Sequence, residues 1–204
     1  MSSFDQRLTK DVPLAFSRPI TEEELWANYE YFIHAVLPVA EEAGVKLALH
    51  PDDPPTEAPL GGVARIMGGL KGFQRAMEIG DSPNHGLDFC IGSWASRSVS
   101  EMLEGLRYFG PRGKLFYAHL RNVRGSVPRF QETFIDEGDV DVVEVLRELL
   151  DVGFDGFIID DHVPKMVNDT AWGHRGRAFA TGYITGVLRA IQTPGSQREH
   201  GGRP

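Results

Sequence analysis

The sequence contains a single cysteine, Cys90, among 204 residues. One cysteine excludes an intrachain disulfide and is typical of a reducing compartment, so we expect a cytoplasmic location. Basic residues are fewer than acidic ones, with 21 Lys and Arg against 29 Asp and Glu and a formal net charge of -8. This charge argues against nucleic acid or an anionic membrane as a partner.

Long apolar runs and nucleotide-binding motifs are absent as well. No run of about 18 or more apolar residues occurs, and the opening MSSFDQRLTKDVP lacks the apolar core of a signal peptide. No G-x-G-x-x-G follows a predicted strand, and GHRGR at 173–177 does not match a P-loop. The sequence therefore predicts neither a membrane span nor a nucleotide cofactor.

Strand and helix patterns alternate along the chain. Residues 1–20 predict an irregular segment, and Thr21 followed by three glutamates predicts a helix that ends at Gly44. Four strand–helix units follow, with strands at 45–50, 87–92, 114–121 and 154–160 and helices at 72–80, 99–110, 140–153 and 173–192. Such alternation predicts right-handed crossovers and a parallel sheet. The polar stretch 193–204 predicts a disordered tail.

Four units make half of a (β/α)8 barrel, which leaves two architectures open. The sheet could be flat and open with helices on both faces, or it could curve as a half-barrel. The polar candidates lie at strand C-termini, where barrel enzymes carry their active sites, and a curved sheet would bring them together. We therefore predict an α/β half-barrel over residues 21–192, with two edge strands that need partners.

Each predicted strand ends near a residue that can bind a metal ion. The first three end near His50, Cys90 and His119, and the fourth is followed by the acids Asp160 and Asp161. Singly, each has an ordinary structural explanation, such as a buried thiol, a satisfied histidine or a helix-capping acid. Their repetition at four successive strand ends favours one metal site. A mixture of imidazole, thiolate and carboxylate suits Mn, Fe or Zn better than Mg or Ca.

Other polar residues follow the same strand ends. Asp52 and Asp53 could orient ligands or bind substrate hydroxyls, with a solvated turn as the alternative. Arg121 could hold a carboxylate bidentately or form a surface ion pair, and Asn122 follows it. His162 is a candidate general acid or base, with a capping or surface role as the alternative. The last loop adds three candidates for the wall of a pocket, Trp172, His174 and Arg175.

Five strings resemble, in order, the C-terminal half of mannonate dehydratase, a family of xylose-isomerase-like (β/α)8 barrels: LALHPDDPP, LDFCIGS, FYAHLRNV, EGDVDVVEVL and IDDH. The resemblance implies a Mn- or Fe-dependent lyase of hexuronate catabolism that dehydrates D-mannonate to 2-keto-3-deoxy-D-gluconate. The metal ligands that it implies are His50, Cys90, His119 and Asp161, because the family's aspartate directly precedes a histidine. That histidine, His162, would be the catalytic acid/base.

The sequence departs from the family's pattern in its last strand and loop. The family's Arg-Pro-Asp-His-Gly is Ile-Asp-Asp-His-Val here, and no tyrosine occurs between His162 and Tyr183, where the family has a catalytic one. Tyr183 falls within a predicted helix, so Trp172, His174 or Arg175 could replace the missing tyrosine.

The resemblance covers only half of a barrel, so we expect a homo-oligomer or a separate N-terminal half to complete it. Two alternatives to the dehydratase remain at this point. One is a metal-dependent sugar isomerase or epimerase of the xylose-isomerase-like type. The other is a metal-binding fragment without catalytic activity.

Overall fold

The computed structural model describes residues 3–193, so the predicted tail lies outside the described residues except for Thr193. Its elements are, in chain order, β1 (Ser3–Asp5), a 3-10 turn (Gln6–Thr9), α1 (Glu22–Glu42), β2 (Leu47–Leu49), α2 (Leu70–Ile79), β3 (His85–Cys90), α3 (Ile91–Arg97), α4 (Val99–Phe109), β4 (Leu115–His119), β5 (Asn122–Ser126), β6 (Arg129–Thr133), α5 (Val142–Asp151), β7 (Phe157–Ile159) and α6 (His174–Gln192).

A four-stranded parallel sheet carries the candidate ligands. Its spatial order is β2-β3-β4-β7, and every neighbouring pair is parallel. Spatial order therefore follows chain order, as in successive βα units. This confirms the predicted α/β fold with four parallel strands. All four strands also end at the same edge of the sheet.

The helix boundaries follow from local capping. Thr21 accepts the backbone N–H of Glu24, while the Glu24 carboxylate accepts that of Thr21, which is a capping box. Ser98 and Asp141 cap α4 and α5 in a simpler way, because their side chains accept backbone N–H groups of the first turn. Gly44 follows α1 in a left-handed conformation at φ +65°. The starts of α1 and α4 agree with the sequence prediction, whereas α5 begins two residues after its predicted start and ends two residues before its predicted end.

A short buried helix replaces the predicted end of the second strand. The strand was expected over 87–92, but β3 ends at Cys90 and α3 begins at once. Trp94 of α3 stacks on Phe89, with ring centroids 4.7 Å apart, and on Phe73 at 5.1 Å. Because this helix is buried on every side, its residues show no polar face that would mark it in the sequence.

The chain between the third predicted strand and its helix folds as a hairpin. β5 and β6 pair antiparallel, and β1 adds to β6, giving a second sheet of order β1-β6-β5. The segment 1–20, expected to be irregular, therefore contains a strand. Phe4 packs on Phe130 with ring centroids 5.7 Å apart, and this contact fixes the pairing.

Both edges of the parallel sheet are exposed. β7 turns Phe157 outward with 76% of its surface accessible, and Val45 lies half exposed beside β2. On α1 the exposed apolar residues are Tyr31, Phe32 and Val39. Within residues 3–193, no helix has the length and apolarity to cross a membrane.

Candidate metal centre

Three nitrogen and sulfur donors meet where the parallel strands end. Cys90 is the last residue of β3, and its partner in the register with β4 is His119. His50 follows β2, the neighbouring strand on the other side of β3. One ligand atom from each of these residues lies within 4.8 Å of the others. Strand register and sheet order thus bring together three of the residues that the sequence singled out.

Each histidine has one ring nitrogen that lies close to an acceptor oxygen of the protein. His50 Nδ1 lies 2.7 Å from the Pro51 carbonyl oxygen, which can only accept, so Nδ1 carries the hydrogen and Nε2 is bare. His119 Nε2 lies 3.2 Å from Asp88 Oδ2. His119 Nδ1 is buried without a hydrogen-bond partner among the described residues. A buried bare nitrogen beside a thiol fits a metal ligand.

Asp161 borders this set of three donors. Its Oδ2 lies 3.5 Å from Cys90 Sγ, and its Oδ1 lies 3.6 Å from His119 Nδ1. The residue has φ +54°, a left-handed conformation that is unusual outside glycine and often occurs at functional sites. Arg177 donates to the Asp161 carbonyl at 3.0 Å and holds this backbone in place.

The neighbouring acid turns away from the donors. Asp160 is buried and accepts a hydrogen bond from Arg177 Nη1 at 2.6 Å. Of the two acids that follow the fourth strand, Asp161 is therefore the one beside Cys90 and His119.

Burial and charge shift the ionisation of the groups at this edge. Burial raises the pKa of Asp88. Burial lowers the pKa of His119, but contact with Cys90 and the charges of Asp88 and Asp161 outweigh it, so its pKa is raised on balance. Both raised pKa values mean that these groups at the C-terminal edge of the parallel sheet hold their protons more readily than usual. This edge therefore favours positive charge, as a cation site does.

Arg121 is buried among acids, with 2% of its surface exposed. Its Nη1 donates to Glu132 at 2.9 Å, its Nη2 donates to Asp53, and its Nε lies 2.8 Å from Asp161 Oδ2. Burial lowers the pKa of this guanidinium, yet the surrounding negative charges, Cys90 first among them, raise it overall. The surface ion pair considered as an alternative does not agree with this burial, while binding of a substrate carboxylate by Arg121 stays a prediction. Arg121 holds together the acids around the site.

Asn122 begins β5, just after the third strand of the parallel sheet. It is buried, its amide donates to the carbonyls of Ile135 and Val140, and its oxygen accepts from Val123 and Val140. A Cβ at Gly138 would lie 1.9 Å from that oxygen, so the loop is built closely around the amide. Asn122 therefore has a structural role in this loop, and its predicted contact with the substrate stays a prediction.

The two acids after His50 have different surroundings. Asp52 accepts the Met67 N–H at 2.8 Å and lies 3.5 Å from Arg65, so it braces its own loop. Asp53 pairs with Arg121 and so joins the network around the donors.

His162 is held by an acid from the hairpin. Its Nδ1 lies 2.7 Å from Glu132 Oε1, so Nδ1–H donates and Nε2 is the nitrogen nearer Asp161, at 3.6 Å. The hydrogen bond to Glu132 outweighs burial and raises the pKa of His162. The side chain is 51% exposed and therefore accessible to a ligand.

The three candidates from the last loop mainly contact that loop. Trp172 is 67% exposed, and the Arg177 guanidinium lies 4.8 Å from the centre of its ring. His174 Nδ1 lies 2.8 Å from Thr170 Oγ1, and Arg175 donates to the Val167 carbonyl at 3.3 Å. Tyr183 lies in α6, where it packs against the core.

Three residues of the site were missed by sequence reasoning: Asp88, Glu132 and Ser93, whose Oγ lies 3.0 Å from Cys90 Sγ. Asp88 had a detectable signal, because it is an acid in an apolar strand two residues before Cys90 and therefore points to the same face. Ser93 and Glu132 had none, since the buried helix and the hairpin were themselves unexpected.

Comparison with known proteins agrees with this geometry. A family model described as D-mannonate dehydratase (UxuA) matches residues 5–198. Mannonate dehydratase 2 of Halalkalibacterium halodurans is 35% identical over 203 residues, covering 94% of this chain and 56% of that protein. The crystal structure of mannonate dehydratase from Streptococcus suis serotype 2 gives a TM-score of 0.79 at 38% identity, covering 85% of this chain and 52% of that one. The chain thus spans about half the length of the curated relatives it matches.

A more distant solved structure shares the fold. The xylose isomerase domain protein from Planctomyces limnophilus gives a TM-score of 0.59 at 18% identity and covers 88% of this chain and 57% of that one. At that identity the likeness concerns the fold alone. Matching about half of such a protein agrees with the predicted half-barrel of the TIM type.

Proposed function

The chain belongs to the D-mannonate dehydratase family, and from this premise we propose that it is the metal-binding half of a sugar-acid dehydratase. The proposed reaction converts D-mannonate to 2-keto-3-deoxy-D-gluconate and water. The observation that carries the proposal is the meeting of His50, Cys90 and His119 within 4.8 Å at one edge of the sheet.

The proposed metal is Mn²⁺ or Fe²⁺, with Zn²⁺ as a further candidate. His50 through Nε2, His119 through Nδ1, the Cys90 sulfur and the Asp161 carboxylate would hold it. Two nitrogens, a sulfur and an oxygen suit a borderline transition metal better than the oxygen-seeking Mg²⁺ or Ca²⁺. When bound, such an ion supplies Lewis-acid polarisation of the substrate carboxylate and a neighbouring hydroxyl.

His162 is the proposed acid/base residue. Glu132 fixes its Nδ1–H, so Nε2 is the atom that takes up or releases a proton. In the dehydration, the hydrogen on the carbon next to the carboxylate leaves as a proton. The hydroxyl of the following carbon departs as water after gaining a proton. The enol that remains rearranges to the keto acid, so the atoms balance.

Further contacts with the substrate belong to the outer part of the site. Asp52, Asp53, Trp172, His174 and Arg175 are proposed to line it. Asp53 has the strongest support, because its carboxylate is tied to Arg121 beside the donors. The three residues of the last loop precede or begin α6, which follows β7 and its adjoining acids.

We propose that residues 21–192 form the half-barrel unit and that an N-terminal half or a second copy of the chain completes the barrel. The support is the exposure of Phe157 at one edge of the sheet and of Val45 at the other. A completed barrel would pair both edge strands and complete the wall around the donors.

Metal content and product formation test this proposal together. The purified protein should contain about one Mn, Fe or Zn per set of ligands, and with Mn²⁺ and D-mannonate it should yield a 2-keto-3-deoxy acid. His119→Gln should lose most of the metal. His34→Gln, at an exposed histidine of α1, is the matched control and should retain it. Interconverted sugars would indicate an isomerase, and bound metal without turnover in any oligomeric state would indicate a non-catalytic fragment.

A further inference from the structure

We infer that Ser93 is a positioning residue of the metal centre, whose hydroxyl donates a hydrogen bond to the Cys90 sulfur and sets how that sulfur binds a cation. The inference rests on the proposed function, because it concerns the same candidate site. Ser93 Oγ lies 3.0 Å from Cys90 Sγ, and both residues are fully buried.

The direction of this hydrogen bond is fixed by Arg121. Arg121 Nη2 lies 3.0 Å from Ser93 Oγ, and a guanidinium can only donate. The Ser93 oxygen therefore accepts from Arg121, and its single hydrogen is left for the sulfur. The Arg121 guanidinium thus polarises the Ser93 hydroxyl that donates to the Cys90 sulfur.

The hydroxyl is carried on a rigid element. α3 begins directly after Cys90, and Ser93 lies one turn further on. The Val127 N–H donates to the Ser96 backbone carbonyl at 2.7 Å, a contact that does not involve the Ser96 hydroxyl. The helix is thereby anchored to the residues between β5 and β6, which leaves Ser93 little freedom to turn away from the sulfur.

A hydrogen bond to a thiolate has two consequences for the metal that it binds. It occupies one lone pair of the sulfur, which limits the directions left for a cation. It also withdraws electron density, so the sulfur donates less to the metal. Without the hydroxyl the sulfur would donate more strongly but would no longer be held in one orientation, and loss of an outer contact that orients a ligand typically weakens metal binding about 10- to 100-fold.

Cobalt binding to the full chain tests the inference. Co²⁺ bound through Cys90 should give a thiolate-to-metal charge-transfer band in the near ultraviolet. Ser93→Ala should move this band to longer wavelength and raise the Co²⁺ dissociation constant about 10- to 100-fold. Ser93→Thr keeps the hydroxyl and should restore the wild-type band.

Ser96→Ala is the matched control. Ser96 is also a fully buried serine of α3, but its hydroxyl bonds a carbonyl rather than the sulfur. It should leave the band in place. If circular dichroism shows that Ser93→Ala does not fold, Ser93→Val replaces it and is compared with Ser93→Thr, because the two side chains have the same shape and only threonine keeps the hydroxyl; the band of Ser93→Val should lie at longer wavelength.

The possible results separate this inference from the proposed function. A wild-type band that is unchanged in Ser93→Ala overturns the inference and leaves the metal centre standing. Equal weakening in Ser93→Ala and Ser96→Ala without a shift of the band reduces Ser93 to a packing residue and also overturns it. A wild-type protein without any thiolate band overturns both.

Discussion

At the scale of single residues, the candidate site depends on which nitrogen of each imidazole carries a hydrogen. The Pro51 carbonyl leaves His50 Nε2 bare, and Asp88 beside His119 Nε2 favours a bare Nδ1. These outer contacts select the nitrogen that can bind a metal. Asp88 therefore affects metal binding although it is not among the three closest donors.

Replacing Asp88 by alanine is expected to weaken Mn²⁺ binding about 10- to 100-fold, because His119 loses the group that fixes its ring. Competition with a chromogenic chelator measures the dissociation constant. Asp155→Ala, at an exposed aspartate before β7, is the control and should bind as the wild type does. Equal affinities in all three proteins would show that Asp88 does not orient His119.

Two glycines should respond in opposite ways to an added methyl group. A Cβ at Gly92 would lie 2.4 Å from Arg121 Cγ, whereas nothing lies within 4 Å of a Cβ at Gly182. Gly92→Ala should destabilise the fold by about 1–3 kcal/mol through overpacking. Gly182→Ala in α6 should stabilise it by about 0.4–1 kcal/mol. Urea unfolding measures both, and a neutral Gly92→Ala would mean that Arg121 can move without cost.

At the scale of elements, what the sequence could predict was decided by periodicity and capping. The four parallel strands and their helices carry apolar spacing and residues such as Thr21 and Ser98 that mark helix starts. α3 has no polar face, and β1 is a strand through its pairing with β6, which comes from a distant part of the chain. Long-range pairing of this kind leaves no local pattern. Three donors were predictable because strand ends share an edge, whereas the burial of Arg121 and Asn122 depended on the unforeseen hairpin.

The capping box of α1 should contribute measurably to stability. Thr21→Ala removes the acceptor for the Glu24 N–H and is expected to cost about 1 kcal/mol. Thr185→Ala is the control, because that exposed hydroxyl bonds a carbonyl inside α6 and its loss should be close to neutral. Thermal unfolding distinguishes the two. An equal effect at both sites would mean that the cap is not formed in solution.

β3 begins with a histidine that should make stability depend on pH. His85 Nδ1 faces the Gly80 carbonyl and therefore carries the hydrogen, while Nε2 accepts from the Tyr29 hydroxyl. Burial lowers the pKa of His85, although the Gly80 contact opposes it and the charge of Lys114 adds to it. Below the ordinary pKa of 6.5 the unfolded chain binds a proton that the folded chain does not.

The free energy of unfolding should therefore decrease as the pH falls from 7 to 5, and less so in His85→Gln. Denaturant unfolding at several pH values measures both proteins. Because other groups titrate in the same range, the difference between the two slopes is the quantity that reports on His85. Parallel slopes would show that His85 is protonated as readily in the fold as in the unfolded chain.

At the scale of the whole molecule, the parallel sheet has two edges but no closure. Among residues 3–193, β2 and β7 each pair with one neighbouring strand only. Exposed apolar residues lie at both edges, which is unusual for a sheet that remains alone in water. The relatives that the chain matches are about twice as long. Those proteins therefore contain a further stretch of chain that has no counterpart here, and this stretch is the candidate partner for the open edges.

Phe157→Glu tests whether the β7 edge is an assembly surface. The wild-type chain is expected to associate at micromolar concentration, with itself or with an added N-terminal half. A charge at this 76% exposed position should raise the dissociation constant of that association at least about tenfold, because assembly would bury an unpaired carboxylate. The fold of the isolated chain should be unaffected, because the side chain is exposed there. Leu8→Glu, 81% exposed outside the parallel sheet, is the control. Sedimentation velocity measures association, and a wild-type chain that remains monomeric with and without that half would show that the open edges are stable in water.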